Sequence, residues 1–309
     1  MKKKRKFYNG VVNHIYQKAQ SGFNLFYCDE DRLVLYTIFS VCAKEAADVV
    51  VLGLCLMYDH FHSLIIADRV EAMSAFMDHC TSWFAKLFNE SVGRKGRLFR
   101  KNYGSAPKWG AKKVRSAVAY HFNNPVEKLL CFRAEDYRWS FLPYYKDRNP
   151  FSKRTPSRNA ALALRCAKKE VKWKYSLNEP LNYQELRRFR ISLTASEWEE
   201  LVDWIIVTYN PIDYNTLLSY YDSYDDMIIA INSNTGGEFD LKEEFNAFSD
   251  LAYGEMLEYF RQFMLDVDIR RLITWPDERK WSMFHELKNR TSATDKQLSK
   301  FLHLFCGGE

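Results

Sequence analysis

No Cys-x-x-Cys occurs in this sequence, although it has seven cysteines, at 28, 42, 55, 80, 131, 166 and 306. Without paired spacing there is no basis for a zinc ribbon or a dithiol redox motif. The odd, scattered set reads as small core residues in a reducing compartment. Long apolar runs are also missing: Val49–Met57 is far too short to cross a bilayer. The basic start, Met1-Lys2-Lys3-Lys4-Arg5-Lys6, is not followed by the apolar core of a secretory signal. Internal repeats and low-complexity tracts are absent. A soluble, cytoplasmic protein is therefore expected.

Charge is present, but unevenly. Residues 1–150 carry 24 Lys+Arg against 14 Asp+Glu, residues 151–190 carry 11 against 3, and residues 191–309 carry 10 against 22. The first two stretches are net +10 and +8 and the last is −12, giving the whole-chain +6. A basic first half suits a polyanion such as nucleic acid. The acidic remainder suits another task, such as protein contact or control of access to the basic face.

The pattern of apolar residues predicts a strand over 11–19 and a helix entered through Asp29-Glu30-Asp31. Strands follow at 49–57 and 60–66. A long amphipathic helix is predicted over 70–92, then a basic turn at 93–96 and a short strand over 97–103. The next helix, 111–122, is predicted to stop near Asn124-Pro125, because proline disfavours helical geometry in its predecessor. This order implies an α+β domain with a mostly antiparallel sheet flanked by helices. Prolines 143, 150 and 156 mark a connecting stretch. With the first domain closed at residue 145, the linker is 146–159. Beyond it the pattern is all helical: about 160–174, 181–190, 194–208, 213–219, 223–231, 240–250, 253–265, 279–290 and 294–305. Residues 232–237 form a loop.

Two short segments carry chemistry. In Asp59-His60-Phe61-His62, strand alternation puts His60 and His62 on one face and Phe61 on the other. Two imidazoles on a rigid strand are a natural pair of metal ligands, or else two ordinary histidines. In Tyr120-His121-Phe122-Asn123-Asn124-Pro125-Val126, helical spacing puts Tyr120 and Asn124 on one face. Either Tyr120 is a half-buried core residue, or the Asn124 amide oxygen and the tyrosine face a shared ion. Imidazole and oxygen donors suit Mg²⁺ or Mn²⁺ with positions left open.

Met57-Tyr58-Asp59-His60-Phe61-His62 resembles the Met-Pro-Asn-His-Val-His box of the HUH single-tyrosine transposases, particularly the REP-associated branch. Phe88-Asn89, Gly96-Arg97-Leu98-Phe99-Arg100 and Tyr103-Gly104-Ser105 are similar to that family's middle segment. Tyr120 to Val126 is similar to its Tyr-x-x-x-Asn-Pro-Val, and Tyr137-Arg138-Trp139-Ser140 to its closing Trp-Ser. The resemblance spans about residues 7–145. It implies that His60, His62 and Asn124 hold Mg²⁺ or Mn²⁺ and that Tyr120 is the nucleophile. It also implies a DNA endonuclease and strand transferase that cuts single-stranded or hairpin DNA through a 5′-phosphotyrosine. Tyr58-Asp59 in place of Pro-Asn, and Glu127-Lys128-Leu129 in place of Arg-Ala-Gly, are departures bearing on loop geometry and DNA preference.

Candidate phosphate contacts are Arg94, Lys95, Arg97, Arg100, Lys101, Lys112, Lys113 and Arg115, with the Lys2–Lys6 arm. Tyr103 and Trp109 are candidates to stack on bases. Two other readings stay open: a domesticated, non-catalytic binder of structured nucleic acid, and a metal hydrolase with no covalent step. Near the end, 283–290 and 294–302 resemble the first two helices of a DNA-binding helical module without its third helix, or are a helical pair packed on its own domain. Thr294 and Gln297 have capping-box spacing. Monomer or homodimer, and a tyrosine serving its own or a partner's histidines, are both compatible with the sequence.

Overall fold

The computed structural model describes residues 7–100, 102–153, 161–233, 249–264 and 268–304. The first half runs β1 (Val12–Lys18), α1 (Asp29–Glu45), β2 (Val49–Leu56), β3 (His60–Ala67), α2 (Val70–Val92), β4 (Gly104–Lys108) and α3 (Gly110–Glu127). Short 3-10 turns at Ala134–Asp136, Arg138–Ser140 and Leu142–Tyr145 lead into the second half. There the described residues form α4 (Leu162–Ser176), α5 (Tyr183–Ser192), α6 (Ala195–Thr208), α7 (Tyr214–Leu218), α8 (Tyr224–Asn232), α9 (Leu251–Phe263), α10 (Asp277–Arg290) and α11 (Asp295–Leu302). The fold is thus α+β, an antiparallel sheet flanked by helices, followed by a helical C-terminal region. Among the described residues, no helix is long and apolar enough to cross a membrane.

The strands lie in the order β2-β3-β1-β4, with every pairing antiparallel. One face meets α1 and α2 through Ile15, Phe61 and Ile65, packed with Phe39 and Phe76. The opposite face meets α3, where Val12, Leu52 and Leu64 pack with Val114, Val118 and Phe122. This two-sided burial fixes the register, because a one-residue slip would exchange the faces. The β2 edge is covered by the second half: the Asp213 amide donates to the Val51 carbonyl at 2.8 Å.

Two expectations are corrected. The described residues of 97–103 form no strand. They run beside the end of β1 through one bridge, Ala19 to Phe99, and the strand that pairs with β1 begins at Gly104. Glycine is required there because a Cβ would lie 2.0 Å from the Tyr16 ring. Pro107 is tolerated because β4 is an edge. Helix α3 also runs through Pro125 to Glu127 rather than stopping before it. Pro125 removes the amide that would donate to the His121 carbonyl, a local cost that the packing of this turn offsets, since Asn123, Asn124 and Pro125 are all buried.

Residues up to 153 of the expected linker are tied to α6. Asp203 is fully buried and accepts from Tyr144 Oη at 2.6 Å, Ser152 Oγ at 2.7 Å and the Phe151 amide at 3.2 Å. Residues 154–159, and most of the expected 232–237 loop and 240–250 helix, lie outside the described residues, as do Lys2–Lys6, Lys101 and Cys306. The final helical pair packs on the molecule's own core through Met283, Phe284, Leu287, Leu298, Phe301 and Leu302. The Thr294–Gln297 capping box is formed.

Candidate functional site

Register alone puts several polar side chains beneath α3. Tyr16 stands opposite His62, Lys18 opposite His60 and His14 opposite Leu64. Alternation therefore places His14, Tyr16, Lys18, His60 and His62 on the face that α3 covers. Cys55 in β2 is level with His62. Helix α3 is pinned by its apolar side chains, which brings Tyr120 and Asn124 over the histidines. The Tyr120 ring centre is 5.6 Å from that of His14 and 6.1 Å from that of His62, edge to face in both cases. Asn124 Nδ2 lies 3.4 Å from His62 Nε2. The four residues singled out for chemistry thus meet within one chain. The close approach of α3 also needs Gly53, where a Cβ would lie 2.9 Å from His121 Nε2.

His60 and His62 each have a partner at Nδ1. His60 Nδ1 is 2.5 Å from Asp59 Oδ1, and Asp59 Oδ2 accepts from Lys300 Nζ at 3.0 Å. His62 Nδ1 is 3.1 Å from His14 Nε2, with the two rings stacked at 5.0 Å. Burial raises the Asp59 carboxyl, but His60 and Lys300 outweigh it and hold the group well below the usual carboxylate range. A carboxylate can only accept, so His60 Nδ1 carries a proton and Nε2 faces away from Asp59. Burial, then the charges of His60, His14, His121 and Lys18, holds His62 well below its ordinary value, so it is neutral. Burial, then His121 and Lys108, does the same for His14. With the Asn124 amide donating to His62 Nε2, the His62 proton is on Nδ1 and is given to His14. In that arrangement His62 is the Nδ1–H tautomer, and His60 also carries a proton on Nδ1.

This arrangement fits a weakly held divalent ion. Orientation of ligand imidazoles through their other nitrogen is how metal sites fix tautomer and direction. Among the described residues, no group of three or more His, Cys, Asp or Glu is disposed to hold an ion. Two imidazole nitrogens, plus the Asn124 amide after a half-turn that presents its oxygen, leave coordination positions for water or phosphate.

The predicted nucleic-acid contacts divide. Lys95, Arg97, Arg100, Lys112, Lys113 and Arg115 are exposed. Arg100 lies beside the His60 end, its amide donating to the Lys18 carbonyl at 3.0 Å. Trp109 is 51% exposed, edge-on to Tyr8 at 4.6 Å. Tyr103 is corrected: it is 5% exposed, with its hydroxyl 3.1 Å from Ser74 Oγ, so it offers no ring face to a base. Its ring goes to the core because the chain turns inward before β4. The Arg94 guanidinium is committed to its own turn, donating to Asn89 Oδ1 and to the carbonyls of Gly96 and Arg97. Sequence reasoning missed His14, Lys18, Asp59 and Lys300. For His14 and Lys18 a signal existed, since both share parity on one strand, but it needed the β1–β3 register to be read.

No protein-family model and no curated protein matches the chain. A solved structure of a REP-associated tyrosine transposase bound to a REP hairpin aligns with a TM-score of 0.38 and 15% identity, over 45% of this chain and 81% of that one. The likeness is distant.

Proposed function

We propose that this chain is a metal-dependent, transposase-like endonuclease and strand transferase acting on single-stranded or hairpin DNA, with Tyr120 as nucleophile. The observation that carries this reading is the convergence of Tyr120 and Asn124 on the His60–His62 pair, with each box imidazole held at Nδ1 by a partner. In this reading His60, His62 and Asn124 hold Mg²⁺ or Mn²⁺, which when bound neutralises charge at the phosphate. Tyr120 Oη attacks phosphorus, the P–O3′ bond breaks, and the phenol proton ends on the departing 3′-oxygen. The products are a 5′-phosphotyrosine and a free 3′-hydroxyl. The covalent link conserves the ester, so another 3′-hydroxyl can reverse the step onto a new end. Lys18, Arg100 and the exposed cations of 95–115 supply phosphate contacts, which makes binding salt-dependent.

The test is a denaturing gel of the full chain incubated with hairpin DNA and Mn²⁺. A covalent protein–DNA band is expected with wild type and none with Tyr120→Phe. Cleavage by Tyr120→Phe with loss in His62→Ala would mean hydrolysis without a covalent step. Binding without cleavage by wild type would mean a non-catalytic nucleic-acid binder.

A further inference from the structure

The last described helix reaches the histidine box. Lys300 in α11 is 3.0 Å from Asp59, whose other oxygen is 2.5 Å from His60. Asp59 and Lys300 are each 19% exposed and His60 13%, so water competes weakly for these contacts. Helix α11 is clamped beside the box by four separate interactions. Tyr27 Oη donates to the Phe301 carbonyl at 2.6 Å, and the Asn24 amide to the Lys300 carbonyl at 3.3 Å. His303 Nε2 is 3.1 Å from the Asn24 carbonyl, and its ring stacks on Phe23 at 4.4 Å. Gly22, at a φ of +67° that favours glycine, lies beside the lysine stem, where a Cβ would make van der Waals contact with Lys300 Cε at 3.4 Å. A second contact comes from α9, where Tyr253 packs on Tyr58 at 5.1 Å between ring centres. The residues immediately before His60 are therefore both held by the C-terminal helices.

We propose that Lys300 is a positioning residue for the histidine pair: by pinning the Asp59 carboxylate it fixes the His60 Nδ1–H tautomer, so the site is complete only with the C-terminal helices docked. This rests on the metal-site reading for its purpose, but not for its geometry. A carboxylate held at one oxygen by an ammonium keeps its other oxygen aimed at the imidazole. Released, it can rotate away, and His60 can place its proton on Nε2 and lose its donor atom.

The experiment uses full-length Lys300→Met, which keeps the stem and removes the charge, with Asp59→Asn as a second variant. Side-chain ¹⁵N NMR of the metal-free protein, assigned with His60→Gln, reads the tautomer directly. Wild type is expected as a single Nδ1–H form and both variants as mixtures. Mn²⁺ titration is expected to show affinity falling about 10- to 100-fold in each, the range for removing a ligand's outer partner. An unchanged His60 tautomer in Lys300→Met overturns the proposal, even if Asp59→Asn shifts it and wild type forms the phosphotyrosine adduct. A shifted tautomer in a protein that binds no Mn²⁺ upholds the positioning and overturns the metal reading instead. Should Lys300→Met fail to fold, Lys300→Gln, which also removes the charge, decides between the same two outcomes.

Discussion

The two imidazoles of the box differ in what holds them. His62 is wholly buried, stacked on His14 from the neighbouring strand and touched by Asn124 from α3. His60 is 13% exposed, and its partner is a carboxylate on the adjoining residue, itself held from 241 positions away in sequence. The inner histidine is thus set by the sheet and its covering helix, all within the first half. The outer one depends on tertiary docking of the second half. Burial makes His62 rigid and neutral, while His60 owes its direction to a charge pair. One end of the site belongs to the core and the other to an interface between the two halves.

Removing each ring in turn tests this difference most strongly. His62→Ala should open a cavity and leave His14 and Asn124 unpartnered, costing about 3 kcal/mol of stability. His60→Ala should cost less than about 1 kcal/mol, because the site is partly open and Asp59 keeps Lys300. Both should lose more Mn²⁺ affinity than the roughly 100-fold ceiling for an outer partner. Urea denaturation of the metal-free proteins and Mn²⁺ titration measure the two effects. Equal stability losses would erase the distinction between the ends.

A smaller effect is expected from the partner of the inner ring. His14→Phe keeps an aromatic ring, a slightly larger one, in this buried position but removes the acceptor for His62 Nδ1. Mn²⁺ affinity should fall about 10- to 100-fold with little change in the expression of folded protein. An unaltered titration would mean that burial alone orients His62, leaving the outer partner important only at the His60 end.

What could be read from sequence was what is local. His60 and His62 share a face by alternation, Tyr120 and Asn124 by helical spacing, and α1, α2 and the C-terminal helices by apolar period and caps. His14 needed strand register, which one strand's sequence does not specify. Lys300 needed the position of the last helix, which only the folded core determines. Tyr103 was misplaced because an aromatic beside basic residues has the same local pattern whether it faces a base or the core. Pro125 misled for a related reason. Its local preference is to end a helix, and burial of Asn123 to Pro125 against the sheet overrides it.

The clamp that brings Lys300 to Asp59 carries its own pH dependence. Burial lowers His303 to about 3, with its Asn24 contact working in the opposite direction. In the unfolded chain the same group titrates near 6.5 (an approximate value). Below that pH the unfolded state takes up a proton that the folded state refuses, so stability is full above about 6.5 and falls as pH drops. The slope approaches roughly 1.4 kcal/mol per pH unit for each such histidine. Burial lowers His121 to about 3 as well, so it contributes in the same direction. His303→Asn tolerates the left-handed backbone at this position, φ 54°, and retains a donor for Asn24. Between pH 7 and 5 it should therefore lose about 1 to 2 kcal/mol less than wild type in urea denaturation. Parallel curves would mean that the clamp opens before His303 protonates. In that case the outer end of the site would be released in acid separately from the core that holds His62.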